Sequence, residues 1–353
     1  MKKKYISLHG SYFGHNYGDI LLITIFAKWI KEKYPYCVIN YPLANRKRTI
    51  GLPEGEVGLF NLLRSKALIY CGGGYFGERP FGKSSWSKRN FKRHSIIGLL
   101  ALLLRIPYAF IGVEFGPISN TWFRRVTIFL AKHASVVVVR NKESKLFLEK
   151  NGVRGVILGA DAVLTLSSNY RTKEKKGNIL LHIPGFQKNK EKYIELIFQF
   201  LSVIKEENIQ NKIIFISDNY NYYFESPDYQ QIINMFKEES VPFEFFYYSG
   251  CDSLVNLMTE SSYVITTKLH VGITSAALNI RPLSFWNHPK TKRFYEQIGN
   301  SFFCHSIGET SDFKEIIKKY FAIDEPFSLP SEIRDNAILN KVVLYDFIKK
   351  HLR

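Results

Sequence analysis

The sequence predicts an α/β protein built from two doubly wound, Rossmann-like units. Three observations carry that prediction. Short β-branched or aromatic runs alternate with longer helical patterns along the whole chain. Glycine-rich loops follow several of the runs. One charged, aperiodic stretch, "SSNYRTKEKKGN" at residues 167–178, interrupts the alternation. A chain of 353 residues has room for one large or two medium domains.

The elements follow in order. In the first half the strand candidates are Tyr5–Leu8, Cys37–Asn40, Ala67–Cys71, Tyr108–Val113 and Ser135–Val139, with Val156–Leu158 as a short last one. Helical patterns fall at Ile20–Lys33, Ser95–Leu104, Trp122–Ala134 and Ser144–Lys150. After the charged stretch the alternation restarts with strands at Ile179–Ile183, Lys212–Ser217, Phe243–Tyr248, Val264–Thr266 and Pro282–Phe285. Helices near Lys192–Glu206, Tyr229–Glu239 and His270–Leu278 lie between them. The expected division is 1–166, a linker at 167–178, 179–330, and closing helices at 331–353. Two such units are expected to face a cleft from the carboxyl ends of their sheets, where folds of this kind bind ligands.

Composition narrows the function. With 46% hydrophobic and 15% aromatic residues the chain reads as globular rather than disordered. Its 49 Lys and Arg against 31 Asp and Glu leave a formal charge of +18, which favours anionic partners: nucleic acid, an acidic bilayer, or phosphorylated and carboxylated small molecules. The lysines are spread over many helix faces and loops, so no compact nucleic-acid motif is expected. Cys37, Cys71, Cys251 and Cys304 lie far apart without a CxxC pair, which fits a reducing cytosol and neither a disulfide framework nor zinc. "MKKKYISLHG" has no apolar core for a signal peptide. The longest apolar run, Ile96–Leu104, is too short to span a bilayer. The expected location is cytoplasmic, with room for peripheral contact at a membrane.

Candidate sites begin with the loop in "LHGSYFGHNYGDILL". Its glycines, Gly10, Gly14 and Gly18, miss the GxGxxG spacing of a dinucleotide site. Asn16 and Asp19 stand where they can cap a helix start, and Gly14, His15 and Asn16 are expected to line the cleft. "LIYCGGGYFG" places Gly73 and Gly74 after a buried strand, with the basic segment Lys83–Arg93 as a mobile flap. "GERPFGKS" satisfies the pattern of a nucleotide phosphate loop as a string only. The strand ends six residues early at Cys71, Pro80 removes an amide, and no magnesium-binding Asp follows promptly, the nearest being Asp218. Arg140 closes "SVVVVR", at a strand's carboxyl end, with a fork matched to carboxylate or phosphate. In "VITTKLHVGITSAALNI" a strand ends just before Lys268 and His270, which precede a helix of small residues. An imidazole there has positive potential beside it and can move protons.

In this order the pieces resemble the polysaccharide pyruvyl transferase family. The matching segments are "GSYFGHNYGDILL", "GGGYFG", "IPYAFIGVEFGPI", "ASVVVVRNKESKLFLEKNGV", "GAD" at Gly159–Asp161 and "SSYVITTKLHVGITSAALNIRPLSF". The resemblance implies a GT-B-like pair of Rossmann-like domains around a central cleft. The implied reaction moves the enolpyruvyl unit of phosphoenolpyruvate onto two hydroxyls of a sugar, leaving a ketal and free phosphate. Arg140 then matches the donor-binding arginine, and Lys268-Leu269-His270 the Arg-Leu-His motif, with Lys268 where Arg is usual. Glu114 stands where glutamine is common. His270 takes one proton-transfer role, as acid or base, and Asp19 or Asp161 is the candidate partner carboxylate. The reaction so drawn needs no cofactor and no metal. The implied acceptor is a sugar of a cell-surface polysaccharide, lipid-linked saccharide included, and nucleic acid is not an expected partner. The rival reading is a GT-B glycosyltransferase using a nucleotide sugar. Its ribose-binding acid would follow Pro282–Phe285, where the sequence instead reads Trp286-Asn287-His288-Pro289-Lys290.

Overall fold

A computed structural model describes residues 3–13, 16–44, 51–77, 84–168, 177–183, 189–220, 223–286 and 288–352. The chain divides into two compact units, 1–165 with 331–353, and 166–330.

The first unit runs β1 (Lys4–His9), α1 (Tyr17–Lys33), β2 (Cys37–Tyr41), β3 (Glu56–Val57), α2 (Phe60–Leu63) and β4 (Ser65–Cys71). Then come α3 (Ser84–Asn90), a π-helical turn (Phe91–Ser95), α4 (Ile96–Leu103), β5 (Tyr108–Val113), α5 (Thr121–His133), β6 (Val136–Val139), α6 (Lys142–Lys150) and β7 (Ile157–Leu158). Its seven strands pair in the order β3-β2-β1-β4-β5-β6-β7, all parallel. β5 is apolar along its whole length, and β4 is apolar and buried from Ala67 onward, because helices cover both faces. Chain direction across the sheet reverses between β1 and β4. Ligands of doubly wound sheets bind at such a point, outside the strands' carboxyl ends.

The second unit repeats the plan with β8 (Asn178–His182), α7 (Lys190–Glu206), β9 (Ile213–Ile216), α8 (Pro227–Glu238), β10 (Phe243–Phe246) and α9 (Cys251–Thr259). It continues with β11 (Ser261–Thr266), α10 (Leu269–Ala277), β12 (Pro282–Trp286), α11 (Pro289–Gln297), β13 (Cys304–Ser306) and α12 (Phe313–Phe321). The order β10-β9-β8-β11-β12-β13 is again parallel, with its reversal between β8 and β11.

Three expectations change in detail. The stretch at 167–178 is not linker throughout: a 3-10 segment, Ala162–Ser168, runs into it because Val163, Leu164 and Leu166 are buried, and Asn178 already opens β8. Residues 169–176 lie outside the described residues. The tail forms one helix, α13 (Ser331–His351), which belongs to the first unit. The described part of the expected flap, residues 84–93, is helical. It is held by buried Asn90, whose side-chain amide donates to the Tyr75 carbonyl at 2.8 Å, and runs on into buried His94 and Ser95. No described helix is long and apolar enough to cross a membrane.

Candidate active site

In the first unit, the loop after β1 and the glycines after β4 meet at the strand reversal. A Cβ built on Gly73, whose φ is +87°, would lie 3.8 Å from Asp19 Oδ1 and only 2.8 Å from the Tyr75 ring. Glycine is therefore required here both by backbone conformation and by space. Asn16 occupies the N-cap of α1 without a side-chain cap bond. Its amide donates to Asp19 Oδ2 at 3.2 Å instead, so the expected capping role is replaced by a contact between the two side chains. Asp19 is half-buried, and its charge helps raise the Cys71 thiol, which burial already pushes up. Gly74 is half-buried beside Gly73. Gly14 and His15, expected to line the same region, lie outside the described residues.

Arg140 follows β6 directly and is buried. Its Nη1 donates to Asp161 Oδ2 at 2.8 Å and its Nη2 donates to Glu114 Oε2. Both carboxylates are buried too, so the fork is closed by two partners. Glu114, Arg140 and Asp161 follow β5, β6 and β7, three neighbouring strands, which is why residues so far apart in sequence converge. Asp161 Oδ1 also accepts from the Val163 amide at 3.1 Å. Burial alone would lower the Arg140 pKa, but Glu114 and Asp161 outweigh it and hold the guanidinium above its ordinary value. The group stays charged, with two carboxylates against one cation.

The second unit builds a different cluster at the reversal between β8 and β11. Lys268 is the N-cap residue of α10, and Leu269 and His270 form that helix's first residues, all three half-buried. Thr266, the last residue of β11, receives the Lys268 amide on its hydroxyl at 3.0 Å. Lys268 Nζ donates to Asp218 Oδ2 at 3.2 Å. The other oxygen of Asp218 lies 3.4 Å from Nε2 of His182, the last residue of β8, and His182 Nδ1 is 3.3 Å from the Thr266 hydroxyl. Burial would raise the Asp218 pKa, but His182 and Lys268 outweigh it and hold the carboxyl below its usual range. Asp218 is thus a fixed anion, while the Lys268 side chain keeps 38% of its surface exposed. This chain's own residues can bind an anion here, through the ammonium and the start of a helix, and hold an imidazole beside it.

A profile of the polysaccharide pyruvyl transferase family matches residues 16–289. The chain belongs to that family. The match spans the first loop, the Arg140 cluster and the Lys268–His270 corner. A search of curated protein sequences finds no match. Among solved structures, the UDP-GlcNAc 2-epimerase of Methanocaldococcus jannaschii superposes with a TM-score of 0.65 at 12% identity, over 98% of this chain and 100% of that one. The enzyme of Neisseria meningitidis, bound to UDP-GlcNAc, gives 0.63 at 10% identity, over 98% and 100%. Anabaena Alr3699/HepE, in complex with UDP and glucose, gives 0.56 at 13% identity, over 99% of both chains. At these identities the likeness concerns the fold, a GT-B-like pair of Rossmann-like domains.

For a pyruvyl transferase, the sequence singles out Arg140, Lys268 and His270, and it names Glu114, Asp161 and Asp218 without their pairing to these cations. His182, which ends β8, carries no local signal. The buried pair His9 and His94 was missed as well. His9 closes β1, its Nε2 sits 3.0 Å from His94 Nδ1, and its Nδ1 lies 3.1 Å from the Tyr12 hydroxyl. Burial lowers His9 to about 3 and His94 well below its ordinary value, so both rings are neutral. Among the described residues no cluster of three or more His, Cys, Asp or Glu is arranged to hold a metal.

Proposed function

We propose that this transferase moves the enolpyruvyl unit of phosphoenolpyruvate onto two hydroxyls of a sugar in a cell-surface polysaccharide or its lipid-linked precursor. A sugar oxygen attacks the enol carbon while the methylene carbon takes a proton. The bond to the phosphate oxygen then breaks, and a second hydroxyl closes the ketal. The reading is supported above all by one observation in a chain of this family: Lys268 and His270 open a helix at the strand reversal of the second sheet, backed by the Asp218–His182 pair.

The donor carries a phosphate and a carboxylate and so calls for cations. Lys268 is assigned one of them, steadied by Asp218. Arg140 is assigned to the other, a role in which the donor would exchange with one of its two carboxylate partners. His270 is assigned a proton transfer, either to the methylene carbon or to the departing phosphate, and Asp19 or Asp161 is assigned the partner base. The chemistry so drawn uses no metal and no cofactor. The working place of such an enzyme is the inner face of the cell membrane, where lipid-linked saccharides are built.

The test is phosphate release from phosphoenolpyruvate with pooled lipid-linked or nitrophenyl glycosides, for wild type, Lys268→Ala and His270→Ala. Release that requires an acceptor, adds a ketal-sized mass to it and is lost in both variants is the expected result. Acceptor-dependent release that survives in both variants would remove the two residues from the site. A thermal shift with uridine or guanosine diphosphate, and none with phosphoenolpyruvate, would favour a nucleotide-sugar donor instead.

A further inference from the structure

The charge of this chain is concentrated in one segment. Residues 79–142 hold twelve Lys and Arg and a single acid, Glu114, a net of +11 out of +18 for the whole chain. Glu114 and Arg140 are buried against each other, so neither offers charge to the surface, and the segment holds no other acid for its remaining basic residues. The same segment forms α3, the π-helical turn, α4 and α5, and α4 and α5 expose large apolar side chains.

α4 turns only Ile97, Gly98 and Ala101 fully inward. Gly98 permits close packing: a Cβ there would lie 3.2 Å from Leu130 of α5 and 2.5 Å from the Tyr70 hydroxyl. Ile96, Leu99, Leu100 and Leu102 are half-buried, and the helix's outer end stays open, with Leu103 79% exposed and Leu104 40%. Beside it, Trp122 and Phe129 lie on one face of α5 at helical spacing and are 49% and 43% exposed. Phe91 of the π-helical turn packs on Trp122 with ring centroids 4.6 Å apart, which joins the two helices into one surface. The same elements and their ends carry exposed Lys88, Arg89, Lys92, Arg93, Arg105, Arg125 and Lys132. Leucine and tryptophan flanked by lysine and arginine is the composition of a helix lying in a lipid headgroup layer. The basic groups meet anionic headgroups while the apolar ones enter the acyl boundary.

We infer that the outer face of α4, α5 and the π-helical turn is a docking surface for an anionic lipid bilayer. Its placement has a consequence for access. Arg93 stacks over Phe13 of the loop after β1, with its guanidinium carbon 5.0 Å from the ring centre, and Asn90 binds the loop after β4. The lipid face therefore borders the strand reversal of the first unit, and a substrate carried in the membrane would reach that loop without leaving the surface. The inference does not depend on which donor the enzyme uses.

Vesicle co-sedimentation of the full chain tests it without turnover. Vesicles of phosphatidylcholine with phosphatidylglycerol should pellet the protein, phosphatidylcholine alone should not, and added salt should release it. Leu103→Glu with Trp122→Ser should abolish binding, and Lys92→Gln with Arg125→Gln should weaken it by about fivefold for each charge removed. Phe60→Ser is the control, because Phe60 is 86% exposed on α2 of the same unit and lies outside the basic segment. It should bind as wild type does; the charge variant and Phe60→Ser should keep the wild-type melting temperature, and Leu103→Glu alone, which leaves the Phe91–Trp122 contact intact, should still lower binding. Equal binding to neutral vesicles, unchanged binding by the charge variant, or equal loss in Phe60→Ser would overturn the inference. So would a chain that ignores vesicles but forms a dimer broken by Leu103→Glu, or one that instead binds duplex DNA.

Discussion

Arg140 and Lys268 are both cations that follow a parallel strand's carboxyl end, yet their surroundings differ in the quantity that decides whether a ligand can use them. Arg140 has two buried carboxylates and little exposed surface. Lys268 donates to Asp218, which His182 also faces, and more than a third of its side chain faces out. Two buried carboxylates on a buried guanidinium oppose the approach of an anionic donor. At Lys268 the exposed part of the side chain is open to approach from solvent. A charge at a strand end is therefore not yet a binding site. Its partners decide that, and they come from other strands.

The largest effect that can break this comparison is on folding. Arg140→Ala should cost about 3–5 kcal/mol in denaturant unfolding, because it leaves Glu114 and Asp161 buried without their cation. Loss of activity in that variant would then report stability as much as donor binding. A wild-type unfolding midpoint would show that the triad is not the clamp described here.

Lys268→Ala should behave in the opposite way. Under the proposed chemistry its kcat/KM for phosphoenolpyruvate should fall roughly tenfold to a hundredfold, the range for losing a charged hydrogen bond, with a smaller loss of stability than Arg140→Ala because Asp218 keeps His182. Lys268→Arg should recover most of the loss, and failure to do so would mean that the site needs a point charge rather than a fork.

Glu114→Gln probes the middle ground. It removes the charge of one of the two carboxylates that Arg140 meets while keeping a side chain of the same size. If Arg140 serves the donor, the KM for phosphoenolpyruvate should fall, at a stability cost of about 1–3 kcal/mol. An unchanged KM would confine Arg140 to holding the sheet edge.

Acid separates the two units further. His9 and His94 have lowered pKa values, so the stability they lend is present above about 6.5 and is lost as pH falls through that value towards about 3 for His9. Asp218 is also lowered, but from the carboxylate range, so its contribution is present above that range and fails only below it. Between these limits the first unit should weaken by about 1 kcal/mol per histidine per pH unit while the Asp218 cluster holds. Half-buried His305 in the second unit is lowered as well and sets a smaller opposing effect. Hydrogen exchange at acid pH should therefore show β1 and β4 losing protection before β8 and β11.

The smallest effect concerns helix starts. Asn141 caps α6, accepting from the Ser144 amide at 2.9 Å, and Asn141→Ala should cost about 1 kcal/mol in thermal unfolding. Lys268 holds the same position on α10 without such a bond, so its removal should carry no capping cost.

Much of this was legible in the sequence. The strands and helices that build both sheets follow from hydrophobic period, and Arg140, Lys268 and His270 stand out because they follow apolar runs. Short elements such as β3, β13 and the π-helical turn were not legible, since two or three residues hold no period. Nor were the partners. Asp218 lies fifty residues before Lys268, and nothing local marks which strand end will face which. The basic face escaped for a related reason: lysines alone look scattered, and it takes the fold to show which basic and apolar side chains of α4, α5 and the π-helical turn are exposed.

The last helix carries a consequence for the order of events during synthesis. Asn340 of α13 is buried in the first unit, donating to the Ala160 carbonyl at 2.9 Å, and Gly112 and Gly159 make room for it. Lys4 at the start of β1 donates to the Leu352 carbonyl, and Tyr34 to that of Tyr345. The part of the chain made first thus waits for residues past 330 before its core is closed, while the unit between can complete itself beforehand. A nascent chain halted near residue 330 should present a finished second half and an open first half, which a protease would read as cuts confined to residues before 166.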